Sequence, residues 1–189
     1  MLLPAIAPLA WTPSYRLIPS RFPPVTLFDR VADPADLDAV FFVENLTNPR
    51  VRQEIGDISL VPVEERVSGP GTTPIMAAFT HLDPEGSRFT DGSYGVYYAA
   101  STLDTAIAES RHSRARFLSR TGEAALEIDM RMYLTDVAAD LHDLRGINNQ
   151  SDFAPAYDPN NYAASQTLGR ELKAANAWGI AYDSVRHRG

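Results

Sequence analysis

The sequence predicts an α+β fold, with a mixed or antiparallel central sheet and flanking helices. Three observations lead there. The stretch Ala124 to Leu134 alternates apolar and polar residues with the period of a half-buried strand. Two segments, opening at Asp33-Pro34 and at Ser101 with Asp104, carry helix start signals ahead of apolar residues spaced three and four apart. Runs rich in β-formers, GVYYAAS and IAYDSVR, stand apart from those helical segments.

Taken in order, MLLPAIAPLAW is an apolar arm interrupted by Pro4 and Pro8, and Ser14 to Ile18 is the first strand, closed by Pro19. Asp33-Pro34 starts a helix to about Leu46, with Leu37, Val40, Phe41 and Leu46 as its core stripe. Asn48-Pro49 repeats the signal for a shorter helix. The run SGPGTTP from Ser68 to Pro74 is a loop, and Ile75 to Phe79 is helix or strand. Asp91-Gly92 turns the chain into the GVYYAAS strand. Ser101 and Asp104 then cap a helix through about Leu118, in which Leu103, Ala106, Ile107 and Ser110 share a face and Glu109 lies at its border. In the strand that follows, Leu126, Ile128, Met130 and Met132 alternate with Glu127, Asp129, Arg131 and Tyr133, the period of a half-buried strand. Leu141 to Leu144 adds a short strand, Tyr162 to Ala175 a helix with Leu168 and Leu172 inward, and Gly179 leads into IAYDSVR.

A length of 189 residues with 44% hydrophobic content suits one domain over residues 1–189. The absence of cysteine removes disulfides, thiol catalysis and cysteine-held metals, and it agrees with a reducing, cytoplasmic setting. No apolar run reaches membrane-spanning length, so a soluble protein without a membrane partner is expected. A net charge of −7 argues against direct nucleic-acid binding, which draws its affinity from Lys and Arg at phosphates. The positive charge is nearly all arginine, crowded at Arg111, Arg114, Arg116 and Arg120, and arginine is the residue for a two-pronged grip on a compact anion. The four histidines lack the paired spacing of a zinc site, and Glu109-x-x-His112 is a single copy of a di-iron pattern that needs two, so no metal is expected. Gly69-Pro-Gly71 is no phosphate loop, because no Lys-Ser/Thr follows it.

Three patterns are richer than folding needs: YRLIPSRFPP near the start, SRFTDGSYGVYYAASTLDTAIAE in the middle and GIAYDSVRHRG at the end. In this order they resemble the RES-domain toxins of bacterial toxin–antitoxin pairs, named for an Arg, a Glu and a Ser, and most of all the ParT-like branch. The resemblance implies a fold related to the ADP-ribosyltransferases and a reaction that consumes NAD⁺, with ADP-ribose passing to a protein, to water or to phosphate. It maps the family Arg onto Arg16, a second Arg onto Arg88, the active-site Tyr onto Tyr98, the Glu onto Glu109 and the Ser onto Ser184. Tyr97 stands one position from Tyr98, and the offset between them stays open. The resemblance also implies a cognate antitoxin carrying a DNA-binding domain, phosphoribosyl pyrophosphate synthetase as an acceptor, and a further strand beyond RHRG.

The residue types suit that chemistry. Breaking an N-glycosidic bond develops positive charge on the ribose, which a carboxylate such as Glu109 can stabilise. Arg16 or Arg88 can fork onto a diphosphate, Tyr98 offers a face to the nicotinamide ring, and Ser184 can bond phosphate or ribose. On the residues alone, each has a plainer reading. Glu109 is a solvated helix residue pairing with a neighbouring Arg, Tyr98 is core filler, Arg16 and Arg88 are structural cations, and Ser184 is a strand-end hydrogen-bonding residue. Two other functions fit the same residues: a nucleotide-sensing module without turnover, and a sugar hydrolase using Glu109 with Asp104 or Asp91.

Overall fold

The computed structural model describes residues 2–19, 27–31, 33–47, 56–121 and 126–187. Contacts divide the chain into two compact units, one of Met1–Arg21 with Tyr98–Gly189 and the other of Phe22–Tyr97. The architecture is α+β with a mixed sheet, as the periodicities predict.

In the first unit, β1 (Ile6–Pro19) runs antiparallel to β2 (Met130–Asp143), and β2 pairs in parallel with the two-residue β3 (Ile180–Ala181). The predicted Ser14–Ile18 strand is the second half of β1, and the apolar arm is the first half. The register slips between Trp11 and Ser14, so Thr12 and Pro13 sit in a bulge where a residue without an N–H costs no ladder bond. Beyond it, the buried Ser14 donates its hydroxyl to the Thr135 carbonyl at 2.6 Å. The two strands expected around Ala124–Leu134 and Leu141–Leu144 are largely one continuous β2, which begins at Met130.

The alternation in β2 is real, and its apolar residues are the more exposed set. Met130, Met132 and Leu134 are 36%, 45% and 56% exposed, and Leu126 ahead of the strand is exposed as well, while Arg131, Tyr133 and Thr135 are half-buried. Register places Ser14, Arg16 and Ile18 opposite Thr135, Tyr133 and Arg131, so these share the inner face. A period of two separates the faces without naming the inner one; here the inner face carries polar groups and the apolar one is left outside.

Helix α4, Leu103–Thr121, packs against β1. Its cap lies one residue later than predicted: the Thr102 carbonyl accepts from Ala106 N at 3.1 Å, and the Thr102 hydroxyl accepts from Thr105 N at 3.3 Å. The inward stripe is also rotated from the expected one. Ala106 is buried, whereas Leu103 and Ile107 are exposed, which turns Glu109 inward to a half-buried position. The GVYYAAS segment is not a strand. It is held by one bridge, in which Tyr15 and Ala100 exchange both backbone hydrogen bonds at 2.8 and 2.9 Å. Helix α5, Ala163–Ala174, buries Leu168 and Leu172 as expected.

In the second unit come α1 (Leu27–Arg30), a 3₁₀ turn Pro34–Asp36 capped by the Asp33 side chain, α2 (Leu37–Thr47) and α3 (Thr73–Thr80). Ile75–Phe79 is thus helix. The core is Phe28, Val31, Leu37, Ile58, Val61 and Met76, with Val40 and Phe41 packed partly against it. The helix expected at Asn48-Pro49 lies outside the described residues. Gly95 allows a close crossing, since a Cβ there would stand 2.4 Å from the Ala78 carbonyl oxygen.

No local side chain caps α3; Asp29 does so from a distance in sequence, accepting from Thr73 N at 3.0 Å and the Thr73 hydroxyl at 2.8 Å. Burial pushes the Asp29 carboxyl up, but hydrogen bonds from Thr73, Gly71 and Thr72 outweigh it and hold the group below its ordinary value. A depressed carboxyl contributes stability that is complete above the unfolded pKa and is lost as pH falls through the folded one. Asp29→Ala should therefore cost about 0.5–2 kcal/mol at neutral pH. In urea titrations that difference should shrink below about pH 4; a gap unchanged down to acid pH would contradict the capping role. The β2 orientation has its own check. Leu168→Ala should cost about 2–5 kcal/mol, while Met132→Lys should stay within about 0.5 kcal/mol of wild type, and a large loss for Met132→Lys would put that side chain inside.

Candidate functional site

Five residues were expected to carry the chemistry, and the first unit brings four of them together in two pairs. In one, Ser184 donates its hydroxyl to Glu109 Oε1 at 2.6 Å, across 75 positions of sequence. In the other, Arg16 Nη1 donates to the Tyr98 carbonyl at 2.9 Å. Arg88 belongs to the second unit, where it is 5% exposed within a loop that bonds to itself: Thr90 donates to the Tyr94 carbonyl at 2.6 Å, and the Tyr94 hydroxyl donates to the Phe89 carbonyl at 2.7 Å.

The Glu109–Ser184 pair is built by tertiary packing. Glu109 is fixed by α4, two turns in from its cap. Ser184 follows β3, on a short turn braced from several sides. The Asp183 carboxylate accepts from Gly146 N at 2.8 Å, and Tyr157 reaches from the Ala154–Tyr157 3₁₀ turn to donate to the Leu144 carbonyl at 2.6 Å. Just before Gly146, Arg145 donates two hydrogen bonds to Asp143 at 2.9 and 2.7 Å; these lead the causes that depress the Asp143 carboxyl. Within the turn, the Ser184 oxygen accepts from Arg186 N at 3.0 Å and His187 N at 3.1 Å. This hydroxyl is therefore fully used, as one donor and two acceptors, and its proton is committed to Glu109.

The second carboxylate oxygen of Glu109 takes no hydrogen bond among the described residues. It is a half-buried anion with one oxygen anchored and one open. Arg186 sits beside the pair, its Nη2 donating to the Pro159 carbonyl and its Nε buried without a hydrogen-bond partner among the described residues. Such an orphan donor suits an acceptor that a ligand would bring.

Arg16 lies on the inner face of β1, opposite Tyr133 and next to the bridge at Tyr15. Of the adjacent tyrosines, Tyr98 is joined to Arg16 through its backbone, while Tyr97 closes the second unit. In the arginine-rich run of α4, Arg116 stacks over the Tyr162 ring at 4.5 Å, a structural use of one of its cations. Among the described residues, no group of three or more His, Asp or Glu could hold a metal ion, and no helix is long and apolar enough to cross a membrane. Tyr157 and Asp183 were not singled out by sequence; their bonds reach 13 and 37 positions away, and no local pattern encodes them.

The first unit thus holds a half-buried carboxylate bonded to a serine, with Arg186 two residues beyond it, on an α+β scaffold. Residues 64–189 match the RES domain, and the chain belongs to that family. It is also similar to the uncharacterized protein y4oC of Sinorhizobium fredii, 40% identical over 131 residues that make up 69% of this chain and 56% of that protein. The chain thus matches little more than half the length of this relative.

The bond pattern predicts what removing the hydroxyl does. Ser184→Ala leaves two backbone donors and a carboxylate oxygen without their partner, and should lower unfolding stability by about 1–3 kcal/mol. Unchanged chemical denaturation would show that the Glu109–Ser184 bond is not formed in solution.

Proposed function

We propose that this protein is the toxin of a toxin–antitoxin pair and that it cleaves the nicotinamide–ribose bond of NAD⁺. The observation that carries the reading is the 2.6 Å bond between Glu109 and Ser184, which joins two of the three residue types that name the family. Cleavage sends the bonding electron pair out with nicotinamide and leaves positive charge on the ribose ring. The open oxygen of Glu109 is suited to stabilise that charge or to accept from a ribose hydroxyl, while Ser184 keeps the carboxylate from swinging away. Arg16 and the buried Nε of Arg186 supply donors for the diphosphate, and Tyr98 a face for nicotinamide. Ser184 is not the nucleophile in this scheme, because its proton goes to a carboxylate already committed to the ribose.

The ADP-ribose then passes to a protein side chain, with phosphoribosyl pyrophosphate synthetase as a target to test, or to water or phosphate. An enzyme that drains NAD⁺ harms its own cell, so the reading includes a cytoplasmic setting and a cognate antitoxin, with its own DNA-binding domain, that covers the site. Incubating purified protein with NAD⁺ should release nicotinamide, and Glu109→Gln should lower the rate by at least about a hundredfold, the scale for losing one transition-state charge contact. NAD⁺ binding without nicotinamide release would make the protein a nucleotide-sensing module instead. Labelled NAD⁺ in lysate identifies the acceptor.

A further inference from the structure

The turn that carries Ser184 touches α4 at a second point, one helical turn before Glu109. Thr105 and Glu109 are four residues apart and so lie on one face of the helix, one above the other. Against that face, Ser184 bonds Glu109 at 2.6 Å, and His187 Nδ1 shares a hydrogen bond with the Thr105 hydroxyl at 2.9 Å. The two contacts are rigidly linked within the turn, because the Ser184 oxygen accepts from the backbone N–H of His187 itself. A closed circuit results: Glu109, Ser184, the backbone to His187, Thr105, and one turn of helix back to Glu109. The helix cap feeds the same circuit, since the Thr102 hydroxyl donates to Thr105 Oγ1 at 2.9 Å and leaves the Thr105 proton for the imidazole.

A single hydrogen bond leaves a carboxylate free to rotate about it, and the braces on the turn act at Asp183, before Ser184, leaving the chain beyond it to be held. The second contact removes that freedom. We propose that His187, through its bond to Thr105, is a positioning residue that seats the Ser184 hydroxyl on Glu109. Its effect on turnover rests on the reading of Glu109 as the group that acts on the ribose. The seating itself does not.

Two measurements separate these. Amide hydrogen exchange at Arg186, whose N–H bonds Ser184, reports the turn without any substrate. His187→Ala and Thr105→Val should each speed that exchange about tenfold, the factor for loss of one ordinary hydrogen bond. His187→Asn, which places an amide atom near Nδ1, and Thr105→Ser should keep the protection. In nicotinamide release, the two disruptive variants should lower kcat about tenfold with KM within about twofold, as expected for a misplaced group rather than weakened binding. In a Ser184→Ala background, His187→Ala should cause no further loss of rate. Unchanged exchange at Arg186, a rise in KM with kcat intact, or losses that multiply in the double variant would each overturn the proposal. If the wild-type protein releases no nicotinamide, the enzymatic reading fails alone, and the exchange rates still decide the seating.

Discussion

The antiparallel pairing of Ile6–Pro19 with Met130–Asp143 is the constraint from which the first unit follows. It joins segments more than a hundred residues apart, so the chain pays a large closure entropy before the ladder forms, and the long register with the buried Ser14–Thr135 bond offsets it. Once the ladder is in place, three things are set at once. Arg16 is committed to the inner face. The Tyr15–Ala100 bridge brings the chain to the start of α4, and the far end of β2 receives β3 at His142 and Asp143. The helix that bears Glu109 and the turn that bears Ser184 are both hung from this one ladder.

The site itself is economical in residues. Glu109 lies on a helix whose small Ala106 faces inward, and Ser184 lies on a turn stitched by Asp183, Tyr157 and the hydrogen bonds of its own hydroxyl. On the proposed reading, a carboxylate that meets a developing cation works best when its direction is fixed before the ligand arrives, because reorganisation then costs nothing at the moment of reaction. The bonds around Ser184 supply that fixity while leaving one oxygen of Glu109 open.

The outer face of the sheet runs against the usual division of polar and apolar. Met130, Met132 and Leu134 face out, and Arg16, Tyr133 and Arg131 face in. A period of two separates the faces of the strand, and only the partners packed against it decide which face lies inside.

The sequence by itself determined the class of fold, the alternation in β2 and the helices at Asp33-Pro34, after Ser101 and after Tyr162, because propensity, caps and periodicity act within a few positions of the chain. Tertiary structure decided the rest. The strand orientation, the demotion of GVYYAAS to a single bridge, the rotation that turns Glu109 inward, the cap that Asp29 lends to α3 and the meeting of Glu109 with Ser184 all depend on partners dozens of residues away. Such partners leave no mark on local composition; they are chosen by which long-range contacts repay the entropy of closing the chain between them.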